Sequence, residues 1–137
     1  MEDIEPLEPS LWLLAIGRLV DRLTAPLASE EERLIRQAFH LLQLAPRPLR
    51  GTLRTECDEK SFERMLDAAD YRSAALALLH PPLIYSLTDG RDGIFEAQVH
   101  LPGRGERRTA RSASAAAALT SAWVQCVAGL CRGSTSP

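Results

Sequence analysis

The residues of this 137-residue chain that could do chemistry are few, and their spacing assembles no recognisable catalytic or metal site. His40, His80 and His100 fall in three different predicted elements, and no two have the i, i+4 spacing of helical metal ligands. Cys126 and Cys131 lie on a mostly apolar predicted helix, which favours core cysteines over ligands. No glycine-rich phosphate loop follows a predicted strand. We therefore predict no catalytic residue, no metal and no cofactor.

Four arginines near the end of the chain form the sharpest candidate site. They are Arg104, Arg107, Arg108 and Arg111, called the arginine cluster below. Guanidinium groups bind phosphates bidentately, so this cluster could hold RNA or DNA. Residues 71–137 carry four acidic and seven basic side chains, whereas residues 1–70 carry fourteen acidic and nine basic. Any anion-binding role is therefore expected in the C-terminal half.

Two amphipathic helices are predicted at the N-terminus, and they form a helical hairpin over residues 1–46. The first begins near Ser10 and carries an apolar stripe at i, i+4, i+7 and i+11, namely Trp12, Ile16, Leu19 and Leu23. A capping box from Ser29 to Glu32 predicts the start of the second helix, and Pro46 ends it.

Residues 58–131 predict an α-β-β-β-α arrangement. Asp58 or Ser61 begins a third helix, and Asp70 either begins a fourth helix or interrupts a longer one. Alternating apolar residues from Phe95 to Leu101 predict a strand with one buried face, and the last helix ends near Gly129, with Thr120, Ser121 and Gln125 away from its apolar stripe. The expected fold is a single α+β domain. It comprises an N-terminal helical hairpin, middle helices, a three-stranded antiparallel meander and a C-terminal helix on the sheet.

Two placements of the arginine cluster follow from two resemblances. Arg107, Arg108, Ala110 and Arg111 resemble the basic signature that opens the last helix of double-stranded-RNA-binding domains, which implies phosphate contacts. Residues 83–129, with their alternating hairpin, alanine-rich helix and late Trp123, resemble small phage and prophage α/β sandwich domains. That second resemblance implies a mobile-element origin and places residues 106–111 on the third strand, with Arg108 and Ala110 facing away from Arg107, Thr109 and Arg111.

The first helix is apolar around more than half its girth, which indicates either deep burial or an interface. The predicted interface residues are Leu11, Trp12, Leu14 and Leu27. We expect a non-enzymatic protein-binding module, with another protein or a second copy as partner. RNA or DNA binding by the arginine cluster is the alternative, and an enzyme with a site assembled from distant residues is the third reading. The acidic start, short apolar runs and odd cysteine count predict the cytoplasm and no membrane partner.

Overall fold

The computed structural model describes residues 8–24, 28–46, 58–79, 84–90, 92–100 and 107–134. Their elements, in chain order, are α1 (Pro9–Thr24), a 3-10 turn (Ala28–Glu30), α2 (Glu31–Gln43), α3 (Glu59–Asp67), α4 (Tyr71–Leu78), β1 (Ile84–Asp89), β2 (Phe95–His100), β3 (Arg108–Ser112) and α5 (Ala115–Ser134). This architecture confirms the predicted α+β class. Two residues of the predicted sites, Leu27 and Arg104, lie outside the described residues.

The start of α2 differs from the predicted capping box. The 3-10 turn precedes the helix, so Glu30 and not Ser29 occupies the N-cap position, and its side chain bonds no helix amide. Glu30 instead accepts hydrogen bonds from Arg22 of α1 and Arg33 of α2. Its carboxylate therefore links the two helices while lying at the positive end of the α2 dipole.

The middle of the chain forms two separate helices. Asp58 caps α3 by accepting a hydrogen bond from the Ser61 amide at 2.7 Å. Ala69 has a φ of 57°, in the left-handed region, which ends the helical path after α3. Asp70 then occupies the N-cap position of α4 and accepts from the Ser73 amide at 3.4 Å. Of the two predicted alternatives for Asp70, the structure has the new helix.

The three strands form an antiparallel meander in the order β1-β2-β3. Val99 of β2 lies opposite Tyr85 of β1 and Arg108 of β3, and Ala97 lies opposite Leu87 and Ala110. The side chains of Ala97, Val99 and Ala110 are buried, because α5 packs against β2 and β3 on this face of the sheet. We call it the helix face and the other the open face.

Helix α5 is the centre of the molecule. It contacts α1, α2 and α4 as well as β2 and β3. Thr120 and Ser121, which lie away from the apolar stripe of the helix, are buried as well. Thr120 donates its hydroxyl hydrogen to the Ala116 carbonyl at 2.8 Å, which satisfies it inside the core. Because other elements pack around most of α5, even its polar residues are buried.

Candidate interaction surfaces

The described arginines of the cluster lie on β3 or just before it, and they do not open the last helix. Arg108 and Arg111 belong to β3, and α5 begins only at Ala115. The Ser114 hydroxyl accepts from the Ala117 amide at 3.2 Å and so occupies the start of that helix. The placement implied by double-stranded-RNA-binding domains is therefore wrong for these residues.

The alternation of β3 sends the arginines to opposite faces of the sheet. Arg108 lies on the helix face, where its Nη2 is 3.0 Å from the position that a Cβ on Gly129 would occupy. Arg111 lies on the open face, with 70% of its side chain exposed and its Nε 3.8 Å from Glu96 Oε1. Arg107 is exposed just before the strand. Arg108 and Arg111 therefore do not form one cationic surface.

Of the three described residues of the predicted helical interface, two leucines are exposed and one tryptophan is buried. Leu11 and Leu14 are 54% and 53% exposed on α1. Trp12 is fully buried, and its indole Nε1 donates to the Leu41 carbonyl at 2.7 Å. Assigning Trp12 to an interface is therefore wrong, because its side chain fills the core between α1 and α2.

The strand β1 is an exposed edge that the sequence patterns did not single out. Five of its six residues are exposed, including Ile84 at 61% and Tyr85 at 47%. Among the described residues, the strand pairs only with β2, and α5 packs on β2 and β3 instead. Alternation alone predicts a strand but not its position in the sheet.

A cavity of about 230 Å³ opens between α1, β3 and α5. Its polar lining consists of Asp21 of α1, Arg108 of β3 and Gln125 of α5. Ile16, Val20 and Ala128 supply apolar walls, and Gly17 exposes backbone. The cavity is therefore amphipathic, with a cation, a carboxylate and an amide around a small apolar volume.

Two buried thiols and one ion pair have structural roles. Cys126 and Cys131 are buried thiols in α5. Arg36 of α2 and Glu63 of α3 form a bidentate pair, with Nη2 to Oε1 at 2.8 Å and Nε to Oε2 at 2.9 Å. These hydrogen bonds from the Arg36 guanidinium hold the pKa of the Glu63 carboxyl below its ordinary value. No group of three His, Cys, Asp or Glu side chains in the described ranges could hold a metal ion.

No protein family, no curated protein and no solved structure matches this chain. Within the segments that the structure describes, no helix combines the length and the apolar character needed to cross a membrane. The surfaces described above are thus the basis on which function is inferred.

Proposed function

We propose that this chain is a non-enzymatic protein-binding module that pairs with a second copy of itself along the free edge of β1. The observation that carries this proposal is the exposure of β1, with Ile84 and Tyr85 both large, apolar and about half or more in solvent. An exposed strand edge offers a row of backbone N–H and C=O groups that a second strand can bond. Strand addition is a common mode of protein recognition for this reason.

The edge lacks the devices that keep natural sheets from pairing. Exposed edges are commonly protected by charged side chains, proline or bulges. From Ile84 to Thr88 the strand has neither a charged residue nor a proline, and its pairing with β2 is continuous over all six residues. Asp89, at the end of the strand, is its one charge.

A two-fold axis at Ser86 gives a complementary antiparallel pairing. An axis perpendicular to the sheet keeps each face continuous across the two copies. Side chains on the helix face of one copy therefore lie beside side chains on the helix face of the other, and the same holds for the open face. Tyr85 then lies opposite Leu87 of the second copy on the helix face, and Ile84 lies opposite Thr88 on the open face. Each such cross-strand pair contributes about 0.2–1 kcal/mol. One strand pair is a small interface, so we expect a dimer of about micromolar affinity or weaker.

Light scattering across a protein concentration series tests this pairing. The wild type is expected to pass from monomer to dimer as concentration rises. Ser86→Lys is expected to abolish the dimer, because it sets two like charges side by side at the axis, and Ser86 is exposed so the fold is retained. Thr109→Lys is the matched control, since Thr109 is exposed on the opposite edge strand.

The helical leucines supply the competing interface. Leu14→Lys is expected to leave the dimer intact. Loss of the dimer in Leu14→Lys but not in Ser86→Lys would show that the interface lies on α1. A wild type that stays monomeric at every concentration contradicts the proposal.

The alternative of nucleic-acid binding is disfavoured by the division of the arginine cluster between two faces. We place the module in the cytoplasm, where buried thiols such as Cys126 and Cys131 stay reduced. The mobile-element origin implied by residues 83–129 remains a prediction.

A further inference from the structure

On the helix face of the sheet, β1 carries apolar side chains that no described helix covers. Tyr85 and Leu87 lie opposite Val99 and Ala97 of β2, so their side chains belong to the helix face. Helix α5 packs over β2 and β3, and none of the described helices packs over β1. Tyr85 is therefore 47% exposed, and Leu87 is only partly buried. An apolar sheet face that is uncovered at one strand offers that strand to another element.

Pairing of two copies through β1 enlarges this uncovered surface. The step rests on the proposed dimer, in which β3-β2-β1 of one copy continues into β1-β2-β3 of the other. The two β1 strands then lie side by side between the two α5 helices, and Tyr85 and Leu87 of both copies form one apolar floor, which we call the trough. Strand pairing uses backbone groups at the edge and leaves these side chains accessible from above. An exposed apolar patch of this kind is typical of a protein-binding site.

The trough has the width of one α-helix and acidic ends. In each copy the single helix α5 covers two strands, β2 and β3, and the trough is also two strands wide. Asp89 is exposed at the end of β1 and shares the helix face with Tyr85 and Leu87. Asp89 is three residues from the axis at Ser86, so the two Asp89 residues of the dimer lie about 20 Å apart at about 3.4 Å per residue. A helix spans that distance with about 14 residues.

We infer that the trough binds one amphipathic α-helix of a partner protein. The apolar face of this helix lies on the floor, and basic side chains about 14 residues apart lie beside the two Asp89 carboxylates. Apolar grooves recognise amphipathic helices in this way, by burying the apolar face. Because the two-fold axis passes through the trough, one helix binds per dimer. The helix binds the dimer only, so it also strengthens dimerisation.

Fluorescence polarisation with a designed peptide tests this inference. The probe is a fluorescein-labelled helical peptide of about 18 residues, with leucines at i, i+3, i+4 and i+7, alanine and glutamine elsewhere, and two lysines at each end. The wild type is expected to bind it with a dissociation constant of about 100 μM or tighter, at one peptide per dimer. A peptide of the same composition in scrambled order is expected not to bind.

Two variants of the same strand locate the binding on one face. Tyr85→Gln should weaken peptide binding about tenfold, because it removes two aromatic rings from the floor. Ile84→Gln is its matched control, since Ile84 is a large apolar residue that is 61% exposed on the open face, and this variant should bind as the wild type does. Equal losses in the two variants, both of them dimeric, contradict the inference.

A third variant tests the acidic ends and decides the matter where Tyr85→Gln also weakens the dimer. Asp89→Asn should weaken binding of the lysine-ended peptide about fivefold, since each dimer loses two exposed ion pairs. Binding of a peptide with glutamine in place of the terminal lysines should not change in Asp89→Asn. An equal effect of Asp89→Asn on both peptides contradicts the inferred basic ends.

Light scattering on the same samples separates this inference from the proposed function. A wild type that dimerises but binds no peptide up to about 1 mM overturns the trough alone. A wild type that stays monomeric and binds no peptide overturns both. Ser86→Lys, which is expected to be monomeric, should lose the peptide, and undiminished binding by the monomeric variant would show that the trough is not the site.

Discussion

At the scale of the residue, the two tryptophans are both buried but differ in the hydrogen bonding of the indole N–H. Trp12 and Trp123 are both inaccessible to solvent, and both fill the core. The Trp12 indole donates to the Leu41 carbonyl, whereas the Trp123 Nε1 has no hydrogen-bond partner among the described residues. A buried donor without a partner is destabilising, so the Trp123 ring contributes through its apolar surface alone.

This contrast predicts that the same substitution lowers the free energy of unfolding by different amounts at the two positions. Trp12→Phe should lower the free energy of unfolding by about 1 kcal/mol more than Trp123→Phe, the typical worth of one hydrogen bond. The difference is not larger because the Leu41 carbonyl keeps its bond from the Leu44 amide. Urea unfolding of both variants measures it. Equal costs, or a larger cost at Trp123, would show that the Leu41 bond contributes nothing.

The Arg36–Glu63 pair predicts a pH dependence of stability. Because the hydrogen bonds from Arg36 lower the pKa of Glu63 in the folded state, the stabilisation is present above the unfolded pKa and is lost as pH falls through the folded pKa. At neutral pH, Glu63→Gln should lower the free energy of unfolding by about 0.5–1 kcal/mol, as for a partly exposed bidentate pair. That difference from wild type should shrink below about pH 4. A difference that is constant with pH would exclude this ionisation as its cause.

At the scale of the element, the two glycines of the turn between β1 and β2 are each explained by their own surroundings. Gly93, in the turn between β1 and β2, has a φ of 78°. A Cβ on Gly90 would lie 2.5 Å from the Ile94 carbonyl oxygen, which already accepts from the Gly90 amide at 2.8 Å. The turn needs both residues, for two different reasons.

Alanine substitutions should separate these reasons by the sign and size of their effects. Gly17→Ala should raise the free energy of unfolding by about 0.5–1 kcal/mol, because alanine is more favourable than glycine in a helix interior and its Cβ meets no other atom. Gly93→Ala should lower it by about 1–2 kcal/mol, the cost of a left-handed conformation. Gly90→Ala should lower it further, because backbone atoms must move. Thermal unfolding of the three variants gives the order, and a destabilised Gly17→Ala would contradict the open space seen there.

The sequence predicts the elements well and their environment less well. Periodicity finds α1, α2 and β2, because the core imposes 3.6-residue and two-residue repeats on them. It cannot show that α5 is surrounded on most sides, since that depends on α1, α2 and α4 all meeting it. The indication is the lack of any charged residue between Arg111 and Arg132. Neither the edge position of β1 nor the cavity beside Gly17 is visible in sequence, because both arise from elements distant in the chain.

At the scale of the whole molecule, the charge distribution opposes a polyanion. The arginine cluster offers four phosphate contacts at most, for a log–log salt slope of about −3.6. Arg108 and Arg111 lie on opposite faces of the sheet, and Glu96 lies beside Arg111. We predict no duplex or single-strand binding above background at physiological salt in a polarisation assay. Salt-sensitive binding by the wild type that is lost in the double variant Arg107→Gln, Arg111→Gln would establish nucleic-acid binding instead.

The pairing of two copies through β1 is the central claim, and amide hydrogen exchange at β1 tests it most directly. The outward-pointing amides of an edge strand face water in the monomer and bond the second strand in the dimer. Measured by NMR over a concentration series, exchange of the outward-pointing amides within Ile84–Asp89 is expected to slow as concentration rises, whereas exchange at Arg108–Ser112 stays constant. In Ser86→Lys, β1 exchange should be independent of concentration. Wild-type β1 exchange that does not change with concentration would contradict the pairing.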